Sequence, residues 1–192
     1  DLPGAMFATP AGSQAALPIL DLIDDDPAWL PSDARVVAWS LACRETLWRG
    51  TEDREASGKD LLVMDRFIDS MAVYGIASQG CPRGLAAELF MQLQGLVRRD
   101  YDWLTIYVDV PAEVAVARIQ ARSGLSAARD LQLPLEAIRD EYRKIAGKHR
   151  WRTVVLDGTQ PAEEVASKAR RAITAWLEAK AEERCEKYGK AR

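Results

Sequence analysis

Leu61-Leu-Val-Met-Asp-Arg-Phe-Ile-Asp-Ser70 is the stretch on which the fold turns. Its first four residues are apolar without a break, too few for a buried helix and with no polar position to mark a solvent face, so they predict a strand covered on both sides. A carboxylate and a guanidinium follow directly, and a helical pattern begins around Ser70 and runs to Tyr74. Two further runs repeat the plan. Leu104-Thr-Ile-Tyr-Val108 leads through Val110-Pro111 into a helix to about Arg122, with Pro111 suited to the first turn and Glu113 to the positive helix end. Thr153-Val-Val-Leu156 leads through Asp157-Gly-Thr-Gln-Pro161 into a long helix with Val165, Ala169, Ala172, Ile173, Trp176 and Leu177 on its apolar face. Short apolar strands alternating with helices predict an α/β fold, a parallel sheet with helices on both sides.

Outward from these runs the organisation is simple. Thr9-Pro-Ala-Gly-Ser13 is turn chemistry, and Ala16, Leu17, Leu20 and Ile23 fit a short helix ending at Asp24-Asp-Asp26. Ser32 to Trp48 carries helical spacing, Thr51 to Lys59 reads as a polar loop, and a further helix is expected from about Gly84 to Arg98. The tail from 179 to 192 alternates charges and reads as a frayed helix end, leaving residues 1–178 as one domain.

The 192 residues, 48% apolar and 29% charged, suit a single globular domain, and no stretch approaches the roughly 20 apolar residues of a membrane span. Lys plus Arg is 26 and Asp plus Glu is 29, so the net charge of −3 offers no basic field for a long nucleic acid; any phosphate must be bound locally. Cys43, Cys81 and Cys185 are odd in number and widely spaced, which suits a reducing compartment and a cytoplasmic protein. The sole histidine, His149, stands among Lys148, Arg150 and Arg152 and reads as a solvated surface residue.

Ligands of open parallel sheets bind at the carboxyl ends of the strands. There, Asp65 can hold Mg²⁺ through water while Arg66 binds phosphate bidentately, a pair suited to phosphoryl transfer. A structural ion pair closing the strand fits the same two residues. Arg118 and Arg122 lie at i and i+4, where like charges repel unless an anion or carboxylate compensates them. They suit a phosphate-facing role or an ordinary solvated helix face, and Gly124 and Ser126 around them suit a mobile cover.

These motifs resemble the thymidylate kinase family. Asp65-Arg-Phe-Ile-Asp-Ser70 with Tyr74 is similar to its Asp-Arg-Tyr signature, with Phe67 in place of tyrosine. Leu104 to Val114 with Arg118 resembles its fourth strand and following helix, Thr153 to Pro161 its last strand and adenine-side loop, and Leu2-Pro-Gly4 with Thr9-Pro-Ala-Gly12 its Glu-Pro-Gly-Gly-Thr-Pro segment. The resemblance implies a three-layer, P-loop kinase-like α/β/α fold and transfer of the γ-phosphoryl group of ATP to dTMP with Mg²⁺. Asp65 would help hold Mg²⁺ through water. Arg66 would bind the acceptor phosphate and the transferring group, and Arg118, Arg122 and Arg129 would close over the phosphates. Arg44, Trp39, Asp69, Ser70, Tyr74 and Gln79 would line the dTMP pocket, and Gly158, Thr159 and Gln160 would lie along the ATP base. The family also pairs through helices, which makes Ser32 to Trp48 and Gly84 to Arg98 candidates for a homodimer contact.

The departures are specific. No Gly-rich loop ending in Gly-Lys-Ser or Gly-Lys-Thr occurs in these residues, and the resemblance implies that two strands and that loop would precede them. Ser40 stands where the family's base-stacking phenylalanine is expected four residues before Arg44, with Trp39 as the nearest aromatic. The glutamine expected after Tyr74 is displaced, leaving Gln79 as its candidate. Three readings follow: a dTMP kinase, a nucleotide-binding or assembly module without transferase activity, and a kinase for another nucleoside monophosphate. Retention of Asp65, Arg66 and the later arginines favours the first.

Overall fold

The computed structural model describes residues 5–8, 16–24, 30–78, 80–122, 124, 127 and 130–189. They fall into two units, Asp1–Tyr101 and Asp102–Arg192, each built on one pair of parallel strands.

In the first unit β1 (Ala5–Ala8) pairs with β2 (Leu61–Met64), Ala5 opposite Leu61 and Ala8 opposite Met64. The crossover between them carries α1 (Leu17–Asp24) and α2 (Ser32–Ala56), and α3 (Ile68–Ala77) and α4 (Arg83–Asp100) follow β2. β1 escapes a reading by pattern because two of its four residues are alanine, a weak strand former, and turn residues flank it at Gly4 and Thr9-Pro10. α2 runs eight residues past Trp48, so the loop expected from Thr51 belongs to a helix as far as Ala56. Its polar residues form a solvated face knitted at helical spacing: Trp48 Nε1 donates to Glu52 (2.8 Å), and Arg49 reaches both Glu45 (3.1 Å) and Glu52 (3.2 Å). The helix stops at Ser57-Gly58, where Gly58 takes a φ of 63°.

The core of this unit joins Val36, Ala42 and Cys43 of α2, Ile68, Met71 and Val73 of α3, and Ala86, Phe90 and Val97 of α4. Each large aliphatic or aromatic side chain so buried contributes about 1.5 to 3 kcal/mol. A Cβ on Gly75 would sit 2.7 Å from Val36 Cγ2, so α3 meets α2 at a point with no room for a methyl group. All three cysteines are free, and burial pushes the Cys43 thiol up to about 12, which leaves it unreactive.

The second unit pairs β3 (Thr105–Asp109) with β4 (Thr153–Asp157) in a register that sets Thr105 opposite Thr153 and Asp109 opposite Asp157. α5 (Ala112–Gln120) starts directly after Pro111. α6 (Leu135–Lys148) is an element the strand-and-helix pattern above does not include, although Leu135, Ile138, Tyr142, Ile145 and Ala146 lie on one of its faces. α7 (Ala162–Gly189) continues into the charged tail as one helix as far as Gly189. The strands are less covered than unbroken apolar runs imply: Val108 keeps 42% and Val155 53% of its surface. At their amino end Arg152 is buried with its guanidinium 4.9 Å from the Trp103 ring and donates to Thr105 Oγ1 (2.7 Å). His149 is half-buried against Trp151, ring centroids 6.5 Å apart, and is therefore not the solvated residue its basic neighbours imply. Among the described residues no helix is long and apolar enough to cross a membrane.

Candidate functional site

At the carboxyl end of β2 the chain turns through an uncommon backbone. Arg66 has a φ of 63°, alone in the left-handed region among the described residues other than glycine. An L-residue there costs about 1 to 2 kcal/mol. The side chain that results lies over the face of Tyr74, 5.0 Å from its centroid, and Tyr74 meets the edge of Trp39 at 5.8 Å and 60°. Arg66, Tyr74 and Trp39, three of the expected site residues, are thus brought together from the β2–α3 turn, α3 and α2. Asp65 is exposed and makes no ion pair or hydrogen bond among the described residues, so it is not spent on a strand-closing bridge to Arg66. A free carboxylate at this strand end fits an ion such as Mg²⁺, which takes one or two protein carboxylates and completes its shell with water and phosphate oxygens. No group of three or more acidic, His or Cys side chains able to cage a metal exists among the described residues.

Other expected residues are placed differently. Asp69 and Ser70 are buried in the first turn of α3. The Ser40 hydroxyl is also buried and donates to the Val37 carbonyl at 2.6 Å, which leaves Trp39 as the available aromatic on α2. Arg44 is exposed and stands apart from the Arg66–Tyr74–Trp39 cluster. Five residues after Trp39, it lies about 140° further round the helix. It sits 5.9 Å from the Trp48 ring and lines a cavity of about 190 Å³ with Leu47, Phe67, Leu93 and Tyr101. Gln79 lies outside the described residues.

In the second unit Arg118 is exposed in the last turn of α5. Arg122 finds a carboxylate of its own, with Nη2 2.9 Å from Asp130 Oδ2, which answers the like-charge conflict within the protein. Arg129 lies outside the described residues. After β4, Asp157 accepts from the Thr159 N–H (2.9 Å), the Thr159 hydroxyl (2.7 Å) and Gln160 Nε2 (3.0 Å). Those bonds hold its carboxyl below the usual carboxylate range. Gly158 donates its N–H to the Asp109 carbonyl at 2.8 Å. A Cβ there would press on Val110, lie 2.6 Å from Val108 Cγ1 and 3.1 Å from that carbonyl. Only glycine allows the two strand ends to approach so closely.

A cluster the motifs did not single out occupies the carboxyl end of β3. Asp109 accepts from Arg139 Nε (2.8 Å), Arg143 Nη2 (2.8 Å) and the Tyr107 hydroxyl (3.0 Å), and Tyr107 stacks on Tyr142 at 5.2 Å. The guanidinium of Arg139 holds the Asp109 carboxyl down to about 2. Its signals were the strand-end carboxylate itself and a second arginine pair at i and i+4.

The sequence profile of the thymidylate kinase family, described as "Thymidylate kinase", matches residues 32–169. The chain belongs to the thymidylate kinase family. It is 36% identical over 163 residues to the thymidylate kinase of Dinoroseobacter shibae, covering 82% of this chain and 75% of that one. It is 30% identical over 160 residues to that of Jannaschia sp., covering 82% and 74%. The enzyme of Latilactobacillus sakei is 35% identical over 121 residues, 59% of this chain and 53% of its own. Mixed α/β architecture with parallel strands agrees with the P-loop kinase-like fold of the thymidylate kinase family. The matched span takes in Trp39, Arg44, Asp65, Arg66, Tyr74, Arg118, Arg122 and the Asp157–Gln160 turn.

Proposed function

We propose that the protein transfers the γ-phosphoryl group of ATP to dTMP, giving dTDP. The observation that carries this reading is the end of β2, where an exposed carboxylate without a partner among the described residues precedes an arginine held by a left-handed backbone over an aromatic ring, in a chain of this family. Phosphoryl transfer asks the protein for position and charge neutralisation more than for covalent chemistry. Arg66 binds the acceptor phosphate and the group in flight with its fork of donors. Trp39 and Tyr74 form an aromatic wall for the thymine ring, Arg44 reaches the nucleotide from the separate cavity beside Phe67, and Asp69 and Ser70 hold the first turn of α3 from the core, with Gln79 as the amide of the pocket. Arg118, Arg122 and Arg129 neutralise the phosphates, for which Arg122 exchanges Asp130 for a nucleotide oxygen. Gly158, Thr159 and Gln160 flank the ATP base. Asp65 would hold Mg²⁺ through water, and the bound ion supplies charge neutralisation between the phosphates. Two copies pair through the exposed Val37 and Leu41 of α2 and Met91 of α4.

The test is dTDP formation from dTMP, ATP and Mg²⁺ by the protein expressed from its complete reading frame. Arg66→Ala lowers turnover at least about a hundredfold, the scale of removing a preorganised charge at a reacting centre. Near-wild-type turnover in that variant excludes the assignment. Because Ser40 leaves Trp39 as the aromatic, the same assay run with dUMP, dCMP and dGMP tests the second reading, a kinase for another nucleoside monophosphate.

A further inference from the structure

Asp109 is the last residue of β3, and it touches more of the second unit than a strand end requires. Its carboxylate accepts five hydrogen bonds: from Arg139 Nε (2.8 Å) and Nη2 (3.3 Å), from Arg143 Nε (3.2 Å) and Nη2 (2.8 Å), and from the Tyr107 hydroxyl (3.0 Å). Its carbonyl accepts the Gly158 N–H at 2.8 Å. Its strand partner is Asp157, whose carboxylate builds the Thr159–Gln160 turn, and directly paired residues share a face of the sheet. The missing space for a Cβ at Gly158, between the Val108 and Val110 side chains and the Asp109 carbonyl, packs this turn directly against the end of β3.

The two arginines are not equivalent. Arg139 is largely buried, keeping 15% of its side-chain surface, and has a second anion in Glu136 at 3.7 Å. Arg143 keeps 50% of its surface and has Asp109 as its carboxylate partner. A strand-to-helix staple needs only Arg139. The second guanidinium leaves an oriented positive edge beside the β4 turn, and a carboxylate that fixes an arginine from behind prepares it for an anion in front.

We propose that Asp109 is a positioning residue for the donor nucleotide: through its carboxylate it fixes Arg139 and Arg143 of α6, and through its carbonyl it fixes the Gly158–Gln160 turn. The inference rests on the reading above that this turn flanks the ATP base. Asp109 itself touches no substrate, and it acts on ATP through both flanks of the β3–β4 carboxyl edge while dTMP is held elsewhere.

The experiment compares Asp109→Asn with the wild type in the full-length kinase. KM for ATP and KM for dTMP are measured separately at a temperature where thermal unfolding shows both proteins folded. The expected result is a rise of about tenfold in KM for ATP, the lower end of what loss of an orienting outer partner costs, with KM for dTMP unmoved. A merely structural role lowers the unfolding temperature and leaves the ratio of the two constants fixed, and that result overturns the proposal. Should Asp109→Asn fail to fold, Arg143→Gln, which keeps the Arg139 staple, takes its place: a several-fold rise in KM for ATP alone supports the proposal, and no change overturns it. A wild type that turns over neither nucleotide overturns the proposed reaction together with this inference, whereas turnover with an unchanged ratio overturns only the inference.

Discussion

Replacing Arg66 by glycine and by alanine separates what its backbone costs from what its side chain does. At a φ of 63° an L-residue is disfavoured by about 1 to 2 kcal/mol, and an exposed guanidinium over a ring returns about 0.5 to 1 kcal/mol. Arg66→Ala keeps the strained backbone and loses the ring contact, so it is the less stable variant. Arg66→Gly loses the same contact but sheds the strain, less about 0.5 to 1 kcal/mol for the freer unfolded glycine. Glycine is therefore more stable than alanine by about 1 kcal/mol, or about 2 to 4 °C in unfolding temperature for a chain of this length. Calorimetry of the three proteins reads the stability, and dTDP formation reads the function. Both variants lose at least about a hundredfold in turnover, because neither has a guanidinium to offer the phosphate. Glycine no more stable than alanine would refute the strain, and turnover surviving in either would refute the role.

Three other outcomes are expected. Arg44→Ala raises KM for dTMP more than it lowers kcat, since Arg44 lines the cavity beside Phe67 and stands away from the reacting end; steady-state kinetics checks this. Gly158→Ala destabilises the protein by about 1 to 3 kcal/mol, because the added carbon meets Val108, Val110 and the Asp109 carbonyl, and urea unfolding measures it. Acid weakens the protein through Asp109, whose folded value of about 2 lies below its unfolded 3.8: the stabilisation, about 2 kcal/mol, is whole above pH 4 or so and is lost as pH falls through about 2. The acid unfolding of Asp109→Asn lacks that step.

The three strands of the apolar runs were legible because four or five consecutive β-formers ending in an acidic residue leave few alternatives. The parallel pairing of β3 with β4 followed from the helices between them, whereas β2, expected in the same sheet, pairs with β1. α6 is absent from the sequence reading although Leu135, Ile138, Tyr142 and Ile145 keep the helical period, because the charges woven between them dilute the apolar stripe. α2 was cut short for a related reason: a polar run such as Thr51 to Ala56 looks like a loop until its i, i+4 partners are counted. What no one-dimensional reading supplies is what each face of a helix packs against. Trp39 and Arg44, expected in one pocket, contribute to an aromatic cluster and to a separate cavity. Asp69 and Ser70, read as pocket residues, are taken into the core because the first turn of α3 packs inward.

Three carboxylates stand at the ends of β2, β3 and β4, and their surroundings assign them different work. Asp157 is spent on the turn that follows it, with Thr159 and Gln160 as donors. Asp109 is spent on α6, with two guanidiniums and a phenol as donors. A carboxylate so saturated has no lone pair to offer a cation without breaking a charge-assisted bond, and each such bond contributes about 1.5 to 3 kcal/mol. Asp65 alone of the three has no partner among the described residues, and the residue after it is the arginine on the strained backbone. A structural carboxylate acquires donors in the folded chain, whereas one kept for an exogenous ion must go without them until the ion arrives. The contrast among the three strand ends therefore supports the proposal that the ion and the transferring phosphate meet at β2.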